Sequence, residues 1–316
     1  MFFAAAQPWG FILFARNVES PEQLGRLTRD LRDAVGRDAP VLIDQEGGRV
    51  QRLRPPHWRE WPPALDEVAA AGPGAAARAM YLRSRLIAAE LRAVGIDVNC
   101  APLADVARTT THPILRNRLY GDDPEAVAEI ALAVALGLID GGVVPVVKHL
   151  PGYGLGEVDS HESLPRVDAG ADELRRTDFA AFRPLADLPL GMTAHIVYEA
   201  FDPETPATLS AEMIRLIRDD IGFGGLLMTD DLSMGALPGP IGERAARARA
   251  AGCDLILHCN GRRAEMEDVL AEAGTMDEGA LARGAAALAL RSGALPLDMD
   301  EMEAELDRLR NGDVDG

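Results

Sequence analysis

Short apolar runs alternate along this chain with longer segments whose apolar residues recur every three or four positions. The runs Phe11–Phe14, Val41–Asp44, Ile96–Ala101, Val143–Lys148, Leu190–His195, Leu226–Asp230 and Leu255–His258 read as strands, being brief, rich in Val, Ile and Leu, and bounded by Gly, Pro or Asp. The longer segments carry helix punctuation. Ser20-Pro21-Glu22-Gln23 has the form of a capping box with Pro in the first turn, and Leu24, Leu27, Leu31 and Val35 follow on one face. Asp123-Pro124 opens a helix through Ala126, Ile130, Val134 and Leu138 that stops at Gly141-Gly142, while the helix through Leu86, Leu91 and Val94 stops at Gly95. Strict alternation without a long linker predicts an α/β fold, a parallel sheet with helices outside it.

Polar residues fall at one end of these strands. Asp44 follows Val41-Leu42-Ile43, Lys148-His149 follow a valine run, His195 follows Met192-Thr193-Ala194, and Asp230-Asp231 follow Leu226-Leu227-Met228-Thr229. In a TIM-type (β/α)8 barrel all strand C-termini meet at the mouth where active sites lie, whereas an open doubly wound sheet gathers its polar residues near one switch point. The even spread predicts the barrel, as a single domain over residues 1–316 with a helical tail from about residue 298.

The chain has 316 residues, of which 47% are hydrophobic and 26% charged, enough to bury a barrel-sized core. Its 32 Lys and Arg against 50 Asp and Glu leave a net charge of −18, which disfavours nucleic acid and anionic membrane surfaces as partners. The 3 cysteines form no C-x-x-C pair and point to neither a disulfide framework nor a zinc knuckle. The first residues lack a basic segment, and Pro8, Gly10 and Arg16 interrupt their apolar run, so neither a signal peptide nor a membrane span is expected and the cytoplasm is the expected location. No glycine-rich nucleotide fingerprint follows any strand, so neither a dinucleotide nor a nucleotide cofactor is implied.

The densest chemistry lies in Lys148-His149-Leu150-Pro151-Gly152-Tyr153-Gly154 and, in the loop beyond, Asp159-Ser160-His161. A buried strand delivers a cation and an imidazole to its end, and the loop adds an acid two residues before a second imidazole. Such an Asp can hold the imidazole in one tautomer and stabilise its charged form, as a proton-transferring His requires. A lone D-x-H is more often an ordinary loop pair, and the polar ends of the other strands are what raise it above that. Asp44, Asp159 and Asp230 supply carboxylates, His149, His161 and His195 imidazoles, and Arg52, Arg118 and Lys148 cations. A metal-dependent hydrolase would use such His and Asp residues as zinc ligands, but the paired histidines expected from a first strand are missing. Glycoside cleavage uses them all, with a carboxylate attacking the anomeric carbon, a second group protonating the leaving oxygen, and the rest holding hydroxyls. A non-catalytic sugar-binding or structural barrel is the third reading.

Three motifs also carry a family resemblance. Ile43-Asp44-Gln45-Glu46-Gly47-Gly48-Arg49-Val50-Gln51-Arg52, then Lys148-His149-x-Pro151-Gly152-x-Gly154 with Asp159-Ser160-His161, then Gly222-Phe223-x-Gly225 leading to Thr229-Asp230-Asp231-Leu232-Ser233-Met234, resemble the bacterial β-N-acetylhexosaminidases of glycoside hydrolase family 3, the NagZ type. The likeness runs from about Phe11 to about Asn260, with the motifs in the family's order. It implies that Asp230 is the nucleophile of a retaining mechanism, that His161 is the acid and then the base, and that Asp159 orients His161. It further implies that Asp44, Arg52, Arg118, Lys148 and His149 hold the sugar, that Asp231 is a structural acid, and that no cofactor or metal is needed. The implied substrate is N-acetylglucosamine linked to anhydro-N-acetylmuramic acid, a muropeptide of peptidoglycan recycling. A phosphorylase is the alternative within enzymes, because a His in place of a second carboxylate repels an incoming phosphate less; a catalytically silent carbohydrate-binding barrel is the alternative outside them.

Two departures from the family pattern stand out. Tyr153 occupies a position where the family usually has His. The family also opens with one more strand, and the apolar runs here number one fewer than the eight a barrel needs, the missing one falling between Phe11–Phe14 and Leu255–His258. Met1-Phe2-Phe3 reads as lying inside the first helix, which leads to the expectations of a start upstream and of a barrel lacking its first strand in this chain.

Overall fold

The structure, a computed structural model, describes residues 2–156 and 163–312. Its main sheet has six strands, Phe11–Leu13, Val41–Ile43, Val98–Asn99, Val144–Leu150, Leu190–Thr193 and Leu226–Met228, and they stand side by side in chain order. Pairs within it run parallel, with Ile12 opposite Leu42, Ile43 opposite Asn99, Val98 opposite Val144 and Met228 opposite Met192. Sequential order without reversal is the winding of the TIM-barrel class rather than of a doubly wound sheet. Among the described residues no strand pairs with the outer edge of Phe11–Leu13. A short helix, Phe2–Ala6, precedes that strand, and Phe3 packs edge-on against Phe11 at 5.1 Å.

The seventh expected strand, Leu255–His258, is not one. Only Leu255 forms a bridge, to Met228. Two residues on, the Leu257 N–H donates at 2.9 Å to the side chain of Thr229 instead of to a backbone carbonyl, so the ladder ends there. The helices follow their caps. Helix Pro21–Val35 begins at Ser20, whose hydroxyl accepts the Gln23 N–H at 3.2 Å. The returning bond of the expected capping box goes one residue further back, from the Glu19 N–H to Gln23 Oε1 at 3.1 Å. Helix Pro124–Asp140 buries Ile130, Val134 and Leu138 as expected, but Ala126 is exposed and the stripe begins at Val127.

The chain divides into two compact units. The first takes Met1–Pro102, Glu129–Val146 and Leu288–Gly316, and the second Leu103–Ala128 and Val147–Ala287, so strand Val144–Leu150 belongs in part to each. In the first unit the fully buried Leu24, Ile43, Leu53, Leu82, Leu86, Leu91 and Val98 fill the space between sheet and helices. The Glu67 carboxylate lies buried there between Arg83 at 3.0 Å and Arg310, whose Nε is at 2.6 Å, and Arg310 belongs to the C-terminal helix Met299–Arg310. In the second unit Leu150, Phe179, Phe182, Leu190, Ile196, Tyr198 and Leu226 make the core. Buried Asp254 takes the Leu227 N–H at 2.8 Å and ion pairs from Arg218 and Arg283, fastening the sheet to two outer segments. Among the described residues no helix is long and apolar enough to cross a membrane.

Candidate active site

In the first unit a tight hairpin follows strand Val41–Ile43. Gln45–Gly47 pairs antiparallel with Val50–Gln51, and the turn needs positive φ at Gly47 (99°) and Gly48 (56°). Gly47 is further fixed by contact, since a Cβ there would lie 1.8 Å from the guanidinium of Arg83. Gln45 is the fastener of this loop. Its Oε1 accepts the N–H groups of Arg52 at 2.9 Å and Leu53 at 3.0 Å, and its own N–H donates to Asn99 Oδ1 at 3.0 Å on the neighbouring strand. Arg52 is thereby returned beside Asp44, which pairs with it at 2.9 Å. Its buried Nε finds no hydrogen-bond acceptor among the described residues.

In the second unit, strand Val144–Leu150 extends two residues beyond its expected end, so Lys148 and His149 lie within it and both are buried. His149 is held by a residue that pattern reading missed. Asp105 is fully buried; its Oδ2 lies 2.7 Å from His149 Nδ1, and its oxygens also accept the backbone N–H of His149 at 3.2 Å and of Tyr153 at 2.6 Å. Three donors thus converge on one buried carboxylate. Asp105 escaped notice because it lies six residues past Asn99, the end of its strand. The one signal was an acid inside the apolar stretch from Cys100 to Ala107. A bridge between Leu103 and Lys148 brings that stretch alongside the strand.

The loop leaving Leu150 is tied down residue by residue. Gly152 gives its carbonyl to the hydroxyl of buried Tyr198, and the Gly154 carbonyl takes the Thr111 hydroxyl at 2.6 Å. Gly154 must be glycine, as a Cβ would lie 1.9 Å from the Val106 carbonyl. Both glycines pack on Asp178, which pairs with Arg108 at 2.8 Å, and burial pushes the Asp178 carboxyl up, with Arg108 opposing that shift. Tyr153 is buried, its ring 5.8 Å from that of His149. Asp159, Ser160 and His161, which follow, lie outside the described residues.

Strand Leu226–Met228 delivers the acidic pair. Asp230 and Asp231 are both half-buried, but their surroundings differ. Asp231 accepts the Ser233 N–H at 2.9 Å, the Ser233 hydroxyl at 2.6 Å and the Cys259 N–H at 3.1 Å, which ties up both carboxylate oxygens. Asp230 accepts only the N–H of Asp231, at 2.7 Å, among the described residues. Its other oxygen takes no hydrogen bond from the described residues. His195, expected among the polar strand ends, is 1% exposed and has both ring nitrogens engaged, by Thr208 at 2.7 Å and by the Asp231 carbonyl at 3.0 Å. Burial depresses its pKa, against the opposing charge of Asp230, and His149 depresses it further. Arg118, just past the helical turn Pro113–Arg116, is half-buried. Among the described residues no group of three or more His, Cys, Asp or Glu side chains is arranged to hold a metal ion.

Residues 6–286 match the family model described as "Glycosyl hydrolase family 3 N terminal domain". A curated relative named beta-hexosaminidase from Alkalilimnicola ehrlichii is 41% identical over 261 residues, covering 79% of this chain and 73% of its own length. Among solved structures, a glycoside hydrolase family 3 β-N-acetylglucosaminidase from Paenibacillus superposes with a TM-score of 0.84 at 32% identity, over 95% of this chain and 62% of that one. NagZ from Neisseria gonorrhoeae, in complex with N-trifluoroacetyl-D-glucosamine, superposes with a TM-score of 0.82 at 32% identity, over 96% and 91% of the two chains.

Proposed function

The chain belongs to glycosyl hydrolase family 3, and from that membership we propose that it is a retaining β-N-acetylhexosaminidase whose nucleophile is Asp230. The observation that carries the reading is the contrast within the acidic pair. Asp231 is consumed by three hydrogen bonds, whereas Asp230, anchored by one N–H, keeps a carboxylate oxygen available. That oxygen attacks the anomeric carbon while the glycosidic oxygen leaves, forming a covalent glycosyl-enzyme; water then attacks the same carbon and returns the carboxylate, so two inversions retain the configuration.

His161 protonates the leaving oxygen in the first step and takes the proton of the attacking water in the second, with Asp159 orienting it. Both roles rest on the family motif. Sugar-holding roles for Asp44, Arg52, Arg118, Lys148 and His149 rest on the family motifs as well. His149 suits this task because Asp105 binds its Nδ1–H and leaves Nε2 as a hydroxyl acceptor. The proposed substrate is the muropeptide unit in which N-acetylglucosamine is β-linked to anhydro-N-acetylmuramic acid. The reaction draws on no cofactor, and its proposed setting is peptidoglycan recycling in the cytoplasm.

The test is hydrolysis of an aryl β-N-acetylglucosaminide beside the corresponding β-glucoside, each with and without phosphate. Turnover of the first alone, unaffected by phosphate, is the expected result. A phosphate-dependent release of sugar 1-phosphate would make the enzyme a phosphorylase, and no turnover of either would leave a silent carbohydrate-binding domain.

A further inference from the structure

His195 lies on no surface that a sugar can reach, yet it is wired to the acidic pair. Strand register explains the contact, because Met228 stands opposite Met192 and both chains run off the same end of the sheet, one into Asp230-Asp231 and the other into Ala194-His195. The partner of His195 Nε2 is the Asp231 carbonyl, which can only accept, so Nε2 carries a hydrogen. Burial, reinforced by His149, keeps the ring neutral against the charges of Asp230 and Asp231 that face it. Nδ1 is therefore a lone pair, and the Thr208 hydroxyl at 2.7 Å donates to it.

The contact with Thr193 agrees with that direction. Thr193 Oγ1 lies 2.8 Å from Thr208 Oγ1 and donates to it, so a single chain of hydrogens runs from Thr193 through Thr208 to His195 and on to the Asp231 carbonyl. The Ala194 carbonyl, 3.0 Å from Thr208 Oγ1, is the longer competitor and would take that hydroxyl hydrogen only if Nδ1 were itself protonated. Thr193 and Thr208 are both fully buried, which excludes water from the chain.

We propose that His195 is a positioning residue for the nucleophile: as the neutral Nε2–H tautomer it holds the Asp231 carbonyl, and through that residue's backbone it sets the carboxylate of Asp230. The coupling is short. The carbonyl of Asp231 is fixed by His195 and its N–H holds Asp230 Oδ1 at 2.7 Å, so both ends of one residue's backbone are committed to placing one carboxylate. Losing the imidazole frees the carbonyl and lets the carboxylate swing, and misplacement by about 1 Å costs on the order of a hundredfold in rate.

The proposal rests on the reading of Asp230 as nucleophile, and its test separates the two. In wild type, the imidazole nitrogen-15 shifts of His195 are expected to report a protonated Nε2 and a bare Nδ1 throughout neutral pH; the opposite tautomer or an imidazolium would overturn the proposal without reference to activity. His195→Leu is expected to lose about a hundredfold in kcat with KM within about twofold, equally for good and poor leaving groups. His195→Gln, whose amide can donate to the same carbonyl, is expected to stay within about tenfold of wild type. A raised KM with unchanged kcat in His195→Leu, or a Gln variant that folds but is as slow as Leu, would overturn the proposal. Should His195→Leu not fold, the Gln variant and the tautomer decide. A wild-type protein inert toward every N-acetylglucosaminide would instead overturn the reading of Asp230 and leave the tautomer measurement standing.

Discussion

The Oδ2 atom of Asp105 lies 2.7 Å from Nδ1 of His149, and the same buried carboxylate takes the backbone N–H of both His149 and Tyr153. One side chain thus fixes an imidazole's tautomer and the path of the chain that leads out of the strand. A charged acceptor with three donors is worth more than a neutral one, and removing it strands buried N–H groups.

Asp105→Asn keeps the shape but cannot serve all three donors. A stability loss of about 2 kcal/mol is expected, together with a KM for N-acetylglucosaminides raised about tenfold and a smaller change in kcat. Thermal denaturation and steady-state kinetics on the same preparation check both. An unchanged KM would mean that His149 does not depend on this carboxylate to hold sugar.

On the proposed mechanism Asp230→Ala should abolish turnover, by about four orders of magnitude or more, because it removes the carboxylate on which the glycosyl-enzyme forms. Asp231→Asn should act differently. It disturbs the bonds to Ser233 and Cys259, so a fall in thermal midpoint is expected beside a partial loss of rate. An Asp230→Ala protein retaining a tenth of the activity, measured free of wild-type contamination, would remove the nucleophile assignment.

For His161 the informative variable is the leaving group. His161→Ala should slow substrates with poor leaving groups far more than those releasing a stabilised phenolate, which departs without protonation. A series of aryl N-acetylglucosaminides gives the slope of rate against leaving-group pKa, and the slope should steepen in the variant. Parallel slopes would remove His161 as the acid.

Glu67 supplies a prediction about pH. Burial alone would raise its carboxyl, but the hydrogen bond from Arg310 and the charges of Arg83 and Arg310 outweigh it and hold the group below its ordinary value. A depressed carboxylate contributes stability that is fully present above the unfolded value, about 4.3, and is lost as pH falls through the lower folded one. Glu67→Gln leaves Arg83 buried without its counter-charge and should cost about 3 kcal/mol near neutrality. The gap between wild type and variant should close in acid. Denaturation midpoints across pH measure it, and a gap independent of pH would show that charge is not what Glu67 contributes.

Much of this protein was legible as pattern. Five of the six strands of the sheet lie within the apolar runs and Val144–Leu150 overruns its own by two residues, because a strand buried on both faces must be largely apolar. The start at Ser20 and the stops at Gly95 and Gly142 were legible for an equally local reason: a helix end needs an acceptor for its N–H groups, or a residue that tolerates positive φ. Proximity across the sheet was not legible. Leu255–His258 has the composition of a strand, but a neighbour's threonine side chain takes its hydrogen bond and ends the ladder.

The amino-acid sequence alone determined which residue types reach the strand ends, since that follows from where each apolar run stops. Asp44, Lys148, His149, His195 and Asp230 were all identified in that way. What each one does there was decided by tertiary structure. Asp105 became the partner of His149 only when a bridge laid Leu103 beside Lys148. His195, one of the imidazoles at the strand ends, is buried, with Thr208 and the Asp231 carbonyl, both distant along the chain, meeting its two nitrogens. Hydrogen bonds act over about 3 Å and take no account of separation in sequence, so the partners that set a side chain's proton and its role exist only once the chain is folded.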